Sequence, residues 1–203
     1  MTTPEDLGVS RETFERLEVY ESLIRKWNPR INLVGKSTLD VLWNRHFIDS
    51  AQIYRLAPHP VSHWADLGVG GGFPGLVVAI MGMESGSPPR VTLVESDARK
   101  CAFLRTVIRE TEAPAVVIND RIENIAPLEV DVLSARALAD LTKLLSFAAR
   151  HLRKGGTAIF PKGETWREEL KNAQTAWNFD YQVAKSETQD GPVILSITGV
   201  ARV

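Results

Sequence analysis

One stretch, Asp66-Leu67-Gly68-Val69-Gly70-Gly71-Gly72-Phe73-Pro74-Gly75, restricts the fold of this chain more than any other. It begins at the end of the strand-like run His63–Leu67 and leads into the apolar run Leu76–Met83, so it joins a predicted strand to a predicted helix. Glycines at such a corner let the backbone turn sharply and come close to a ligand. The helix that follows offers unpaired N–H groups to an anion, and Pro74 suits its first turn, where a missing N–H costs nothing. A sheet with parallel strands and covering helices is the architecture that uses such a corner.

The rest of the pattern agrees. Further strands are expected at Val91–Glu95, Ala115–Ile118, Val130–Ser134 and Thr157–Pro161, with helices at Pro74–Met81, Ala98–Glu110, Leu138–Leu152 and Trp166–Trp177. Strand alternating with helix predicts a parallel sheet covered on both faces. The end differs: Tyr181–Ser186 and Val193–Val200 are strand-like runs joined through Gly191-Pro192 with no helix between them, which predicts an antiparallel hairpin. Residues 1–60 read as a helical extension and 61–203 as the sheet-containing domain. In the extension Ser10 caps a helix whose apolar stripe is Phe14, Leu17, Tyr20, Ile24 and Trp27, and Asn28-Pro29 ends it. Ser37 or Thr38 opens a second helix bearing Leu39, Leu42, Trp43, His46 and Phe47.

Two cofactors fit the corner. Gly70 to Gly75 satisfies G-x-G-x-x-G, the dinucleotide fingerprint, which is weak by itself. Asp66 speaks for the other. An acid at the strand end, facing the pocket, favours the positively charged amino acid end of S-adenosylmethionine and repels a pyrophosphate. Glu95 closes the next strand, where a carboxylate can accept hydrogen bonds from both ribose hydroxyls of either cofactor. An NAD-dependent oxidoreductase therefore stays open, as does a non-catalytic RNA-binding module with a nucleoside pocket.

Composition enters in three places. Cys101 is the only cysteine, which excludes an internal disulfide and favours a cytoplasmic location. Leu76–Met83 is the longest apolar run, far short of the roughly 20 residues that cross a bilayer, and no secretory signal is expected from the acidic start MTTPEDLGVSRETFER. A net charge of -1 argues against a partner bound by phosphate neutralisation alone. The average conceals a basic stretch: Arg25, Lys26, Arg30, Lys36 and Arg45 share their segment with a single acid, Asp40. The histidines His46, His59, His63 and His151 lack ligand spacing to one another or to Cys101, and no metal site is expected.

Trp27-Asn28-Pro-Arg-Ile31-Asn32-Leu33, Arg45-His46-Phe-Ile-Asp49-Ser50, the Asp66–Gly75 loop ending in Gly-Phe-Pro-Gly, Glu95-Ser96, Arg99-Lys100-Cys-Ala-Phe103-Leu104, Arg121-Ile122-Glu123, Ser134-Ala135-Arg136-Ala137 and Lys162-Gly163 occur in order along most of the chain. Together they resemble the RsmG (GidB) family of bacterial 16S rRNA guanine-N7 methyltransferases. The resemblance implies a Rossmann-like class I methyltransferase with a mostly parallel seven-stranded sheet. It implies S-adenosylmethionine as methyl donor, S-adenosylhomocysteine as product, and 16S rRNA or a small-subunit precursor as partner, at the guanine numbered 527. Carried over position by position, Asp66, Gly68, Gly70, Phe73 and Glu95 are cofactor-binding, Ile122 and Glu123 lie near the adenine, and Arg136 stands near the transferred methyl. Lys26, Arg30, Lys36 and Lys162 are the expected RNA contacts. Val69 departs from the family's usual Ser or Thr, and Arg99 from a common Lys. Guanine N7 carries a lone pair and no proton, so no general base is expected, and His46 and Asp49 are expected to tie the front helices to the sheet.

Overall fold

The computed structural model describes residues 2–203. After a short capped turn of helix, α1 (Pro4–Leu7), the Ser10 hydroxyl accepts the Thr13 N–H and starts α2 (Arg11–Ile31). Thr13, Leu17, Tyr20, Ile24 and Asn28 form its buried face at three- and four-residue spacing; Phe14 and Trp27 are only half-buried at its edges. The helix does not stop at Asn28-Pro29, as the sequence suggests. Proline there sacrifices one backbone bond, and the chain turns only at Asn32, which is left-handed with φ 49°. Buried Asn28 takes over the turn, its Oδ1 accepting the N–H groups of Leu33 at 2.7 Å and Val34 at 2.9 Å.

The expected second helix is three pieces: a 3-10 turn at Lys36–Thr38, a π-helical turn at Trp43–Ile48, and α3 (Asp49–Arg55). A π-turn widens the helix by one residue and is often found at functional positions. Here aromatic packing accompanies it. Phe47 is fully buried, stacked on Trp43 and edge-on to Tyr20.

The remaining elements are β1 (Trp64–Leu67), α4 (Gly75–Ser85), β2 (Val91–Val94), α5 (Ala98–Thr111), β3 (Ala115–Ile118), β4 (Val130–Ser134), α6 (Leu141–His151), β5 (Leu152–Lys162), α7 (Trp166–Ala173), β6 (Trp177–Lys185) and β7 (Val193–Arg202). Seven strands form one sheet in the order β3-β2-β1-β4-β5-β7-β6. Pairing is parallel from β3 through β5, and β7 runs antiparallel to both β5 and β6. This is the α/β class expected, terminal hairpin included. Strand alternation sends Trp64, Leu93, Val132 and Ile159 into a cluster with α2, α4 and α5. Ala65, Val94, Leu133 and Phe160 go into another with α6 and α7.

Two boundaries matter for the site. Helix α6 begins at Leu141 and not Leu138, because the Asp140 side chain caps it by accepting the Lys143 N–H. That leaves Arg136–Ala139 as a free connection, turned by Ala137 at φ 52°. Strand β5 is also longer than expected, and it carries Lys162 at its end. The chain leaves β1 for β2 and β3 on one side and returns to β4 and β5 on the other. The strand order therefore reverses between β1 and β4, the place where open α/β sheets form a ligand crevice at the carboxyl ends of their strands.

Candidate active site

The glycine corner is built on Asp66, which is wholly buried. Its Oδ2 accepts the Gly75 N–H at 2.8 Å and its Oδ1 the Ser134 hydroxyl at 2.7 Å, while the Trp64 indole donates to Ser134. Burial drives this carboxyl up to about 7, against both bonds, which favour the anion. Asp66 was expected to face the pocket; instead it lies beneath the loop and pins the start of α4. Only glycine fits at Gly75, where a Cβ would run into Leu93 and Asp66 itself, and at Gly72, where φ is +101° and a Cβ would strike Tyr20 and Leu76. Tyr20 holds the loop from the far side, its hydroxyl donating to the Gly71 carbonyl at 2.6 Å.

A cleft of about 450 Å³ opens over the ends of β1, β2 and β3. Gly68, Glu95, Ile122 and Glu123 line it together, with Asp120, Leu138 and Phe147. Glu95 is organised before any ligand arrives: Oε2 accepts the Gly70 N–H at 2.9 Å and Oε1 the Asp97 N–H at 2.8 Å. Gly70 thus touches the cleft through Glu95. The Glu123 carboxylate pairs with Lys143 at 3.2 Å. Phe73 is not in the lining. It is buried between Tyr20, on which it stacks at 5.1 Å, and His46, at 4.9 Å.

A second pocket, also about 450 Å³, lies over the ends of β4 and β5 and the start of β7. Arg45, His46, Asp49, Arg136, Lys162 and Glu169 face it. The Arg136–Ala139 connection divides the two: Leu138 lines the first, Arg136 and Ala137 the second, and Ala139 both. Arg136 sits 5.2 Å over the Phe73 ring and donates to His46 Nδ1 at 2.9 Å. That bond fixes the tautomer. His46 Nε2 carries the hydrogen and faces the Thr38 hydroxyl at 3.1 Å, which donates onward to the Gly35 carbonyl. Burial, then Arg136 and Arg45, hold His46 down at about 3, so its ring is neutral at neutral pH. Asp49 is pushed up by burial, against a bond from Thr188 and the nearby arginines.

The basic residues separate. Lys26, Arg30 and Lys36 are exposed and, among the described residues, form no ion pair. Arg25 pairs with Glu21 at 2.7 Å. Arg45 turns inward, its Nη1 buried with no partner among the described residues. The Lys162 ammonium is nearly enclosed, held by Glu169 at 2.6 Å and the Ala139 carbonyl at 3.1 Å. Sequence reasoning overlooked Tyr20 as a loop anchor, Thr38, and Asp49 as a pocket wall. For Asp49 a signal existed, its place in the Arg45–Ser50 element.

Comparison with known proteins gives the family. The family model described as rRNA small subunit methyltransferase G, GidB, matches residues 13–191. The chain belongs to this family. A small-subunit rRNA methyltransferase G of Ruegeria pomeroyi is 55% identical over 197 residues, which cover 97% of this chain and 96% of the relative. Likeness to solved structures is at the level of fold. A methyltransferase from Geobacter sulfurreducens superposes with TM-score 0.60 at 15% identity, covering 91% of this chain and 88% of that one. TYW2 of M. jannaschii, solved in complex with AdoMet, superposes with TM-score 0.57 at 13% identity, covering 84% and 78%. The chain is an S-adenosylmethionine-dependent methyltransferase of the small-subunit rRNA class. The cleft's lining suits a nucleoside: carboxylates Glu95 and Asp120 to accept from hydroxyls, and the apolar sides of Ile122, Leu138 and Phe147 for a base. No helix of the described residues is long and apolar enough to cross a membrane.

Proposed function

We propose that the chain methylates N7 of a single guanine in 16S rRNA, presented as RNA or as a small-subunit precursor particle in the cytoplasm. The observation that carries this reading is the pair of clefts meeting along Arg136–Ala139. The β1–β3 cleft takes the cofactor, through Gly68, Glu95, Ile122 and Glu123, and the pocket beyond β4 takes the base. S-adenosylmethionine, when bound, supplies an activated methyl group on a sulfonium. The N7 lone pair forms the new bond to carbon as the bond to sulfur breaks, and the positive charge passes to the guanine ring. No proton leaves N7, so the protein's task is to hold the reacting atoms close and aligned.

Arg136 begins the connection along which the two clefts meet and faces the pocket beyond β4, with its guanidinium fixed by His46 and Phe73. It positions the base through O6 or its phosphate, and a rigid fork does this better than a mobile ammonium. His46 is no general base in this arrangement: Arg136 engages its one free lone pair. The test is single-turnover methylation of small-subunit RNA, with the modified base mapped. Arg136→Lys should slow transfer by about ten- to a hundredfold, as expected when charge-assisted hydrogen bonds are lost, with cofactor affinity little changed. The wild-type rate should stay flat from pH 6 to 8. A rise with pH that disappears in His46→Gln would show a catalytic base and refute direct attack by an unprotonated nitrogen.

A further inference from the structure

The pocket beyond β4 contains more polar chemistry than a positioning arginine requires, and most of it is already committed. Lys162 and Glu169 satisfy one another, and Glu169 also accepts the Leu141 N–H at 2.8 Å. What stays available is a guanidinium edge from Arg136 and one carboxylate, while Arg45 Nη1 is unpartnered among the described residues but closed off from solvent. Asp49 Oδ1 accepts the Thr188 hydroxyl, and among the described residues its Oδ2 has no hydrogen bond. The position is braced from the hairpin side. Gln52, one turn further along α3, donates to the Lys185 carbonyl at 2.6 Å and accepts the Glu187 N–H at 3.1 Å, which holds the loop carrying Thr188.

We propose that Asp49 is the residue that selects guanine, its carboxylate accepting the N1–H and 2-amino hydrogens while Arg136 donates to O6. The inference rests on the guanine-N7 reading above and gives that pocket its specificity. Guanine presents one acceptor beside two donors, which meets a guanidinium beside a carboxylate. Adenine presents the reverse, an amino group toward the arginine and a lone pair toward the carboxylate, and leaves charged groups unpaired on both sides. A site built to hydrogen-bond its substrate rejects such an analogue strongly, and an extruded base is ordinarily read along this edge. The same contact favours the reaction. Methylation at N7 makes N1–H more acidic, so its bond to a carboxylate strengthens as charge develops on the ring, which is stabilisation of the transition state over the ground state. Asp49 also offsets the cations that would otherwise face a positively charged product.

The experiment compares RNA carrying guanine with RNA carrying inosine, which lacks only the 2-amino group, at the target position. Methylation kcat/KM is measured, and so is RNA affinity in saturating S-adenosylhomocysteine. Wild type should prefer guanine by about tenfold, the worth of one hydrogen bond to a charged group. Asp49→Ala should lower kcat/KM on guanine about tenfold or more and bring the guanine-to-inosine ratio near one, with S-adenosylmethionine affinity unchanged. Asp49→Asn, which keeps an acceptor for Thr188, should behave alike and carries the test if the alanine variant does not fold. Equal treatment of guanine and inosine by wild type, or a preference that persists in both variants, overturns the assignment to Asp49 and leaves guanine-N7 methylation standing. Absence of guanine methylation by wild type overturns both.

Discussion

Glu95 bears on the proposed cofactor cleft by two routes. Its oxygens already hold the Gly70 and Asp97 N–H groups, and it lines the cleft. Glu95→Ala should weaken S-adenosylmethionine about ten- to a hundredfold by calorimetry, since hydrogen bonds to a charged group are worth about 1.5–3 kcal/mol each. Unchanged affinity would remove Glu95 from the site. His46 gives a prediction about acidity. Its pKa falls to about 3 on folding from an ordinary 6.5. Between those values the unfolded chain binds the extra proton, so this contribution to stability is complete above 6.5 and is lost as pH falls toward 3. His46→Gln keeps an acceptor for Arg136 and a donor for Thr38 without titrating. Melting curves at pH 7 and pH 5 should show a smaller loss in the variant than in wild type; an equal loss would mean that the ring is not shielded as described.

At the level of elements, the front helices take part in shaping the glycine corner. Tyr20 on α2 reaches the Gly71 carbonyl, packs against Phe73, and occupies the space that a Cβ on Gly72 would need. Tyr20→Phe keeps the ring and removes only the donor, leaving a buried carbonyl unsatisfied at a cost of about 1–3 kcal/mol. For a chain of this size that is a fall in Tm of roughly 2–4 °C per kcal/mol. Because the same bond shapes the loop before Phe73, S-adenosylmethionine affinity should fall as well. A lower Tm with wild-type cofactor affinity would confine Tyr20 to stability. The π-turn at Trp43–Ile48 has the matching role beyond β4: it turns Arg45 and His46 toward Arg136 while Phe47 anchors it in the core.

For the whole molecule the question is how a chain of net charge -1 holds a polyanion. Lys26 and Arg30 stand exposed on α2, and Lys36 opens the 3-10 turn that ends at Thr38; Gly35 and Thr38 line the pocket beyond β4. We infer that RNA runs from that pocket across this surface. Replacing Lys26, Arg30 and Lys36 together by Gln should lower RNA affinity and flatten its dependence on salt by up to about three units of logarithmic slope, one for each phosphate no longer neutralised. Cofactor affinity should be untouched. Wild-type RNA binding at every salt concentration would move the RNA to another face.

The sequence by itself determined the order of strands and helices, the closing hairpin, the glycine corner and Glu95 beside it. Each of these is written in short-range signals: period-two and period-three-to-four apolar spacing, glycines, and acids at strand ends. The path of α2 past Pro29 was not legible, because the compensation for proline is the burial of Asn28 against residues beyond the helix. Nor was the direction of Asp66. Strand position places it at the corner, but Ser134, distant in the chain, draws its carboxylate under the loop and away from the cleft. Lys162 met Glu169 and Arg136 met His46 only once separate elements had packed. The second pocket belongs wholly to tertiary structure. Its walls come from the π-turn, the ends of β4 and β5, α7 and the hairpin loop, and a cavity between elements leaves no periodic trace in any one of them.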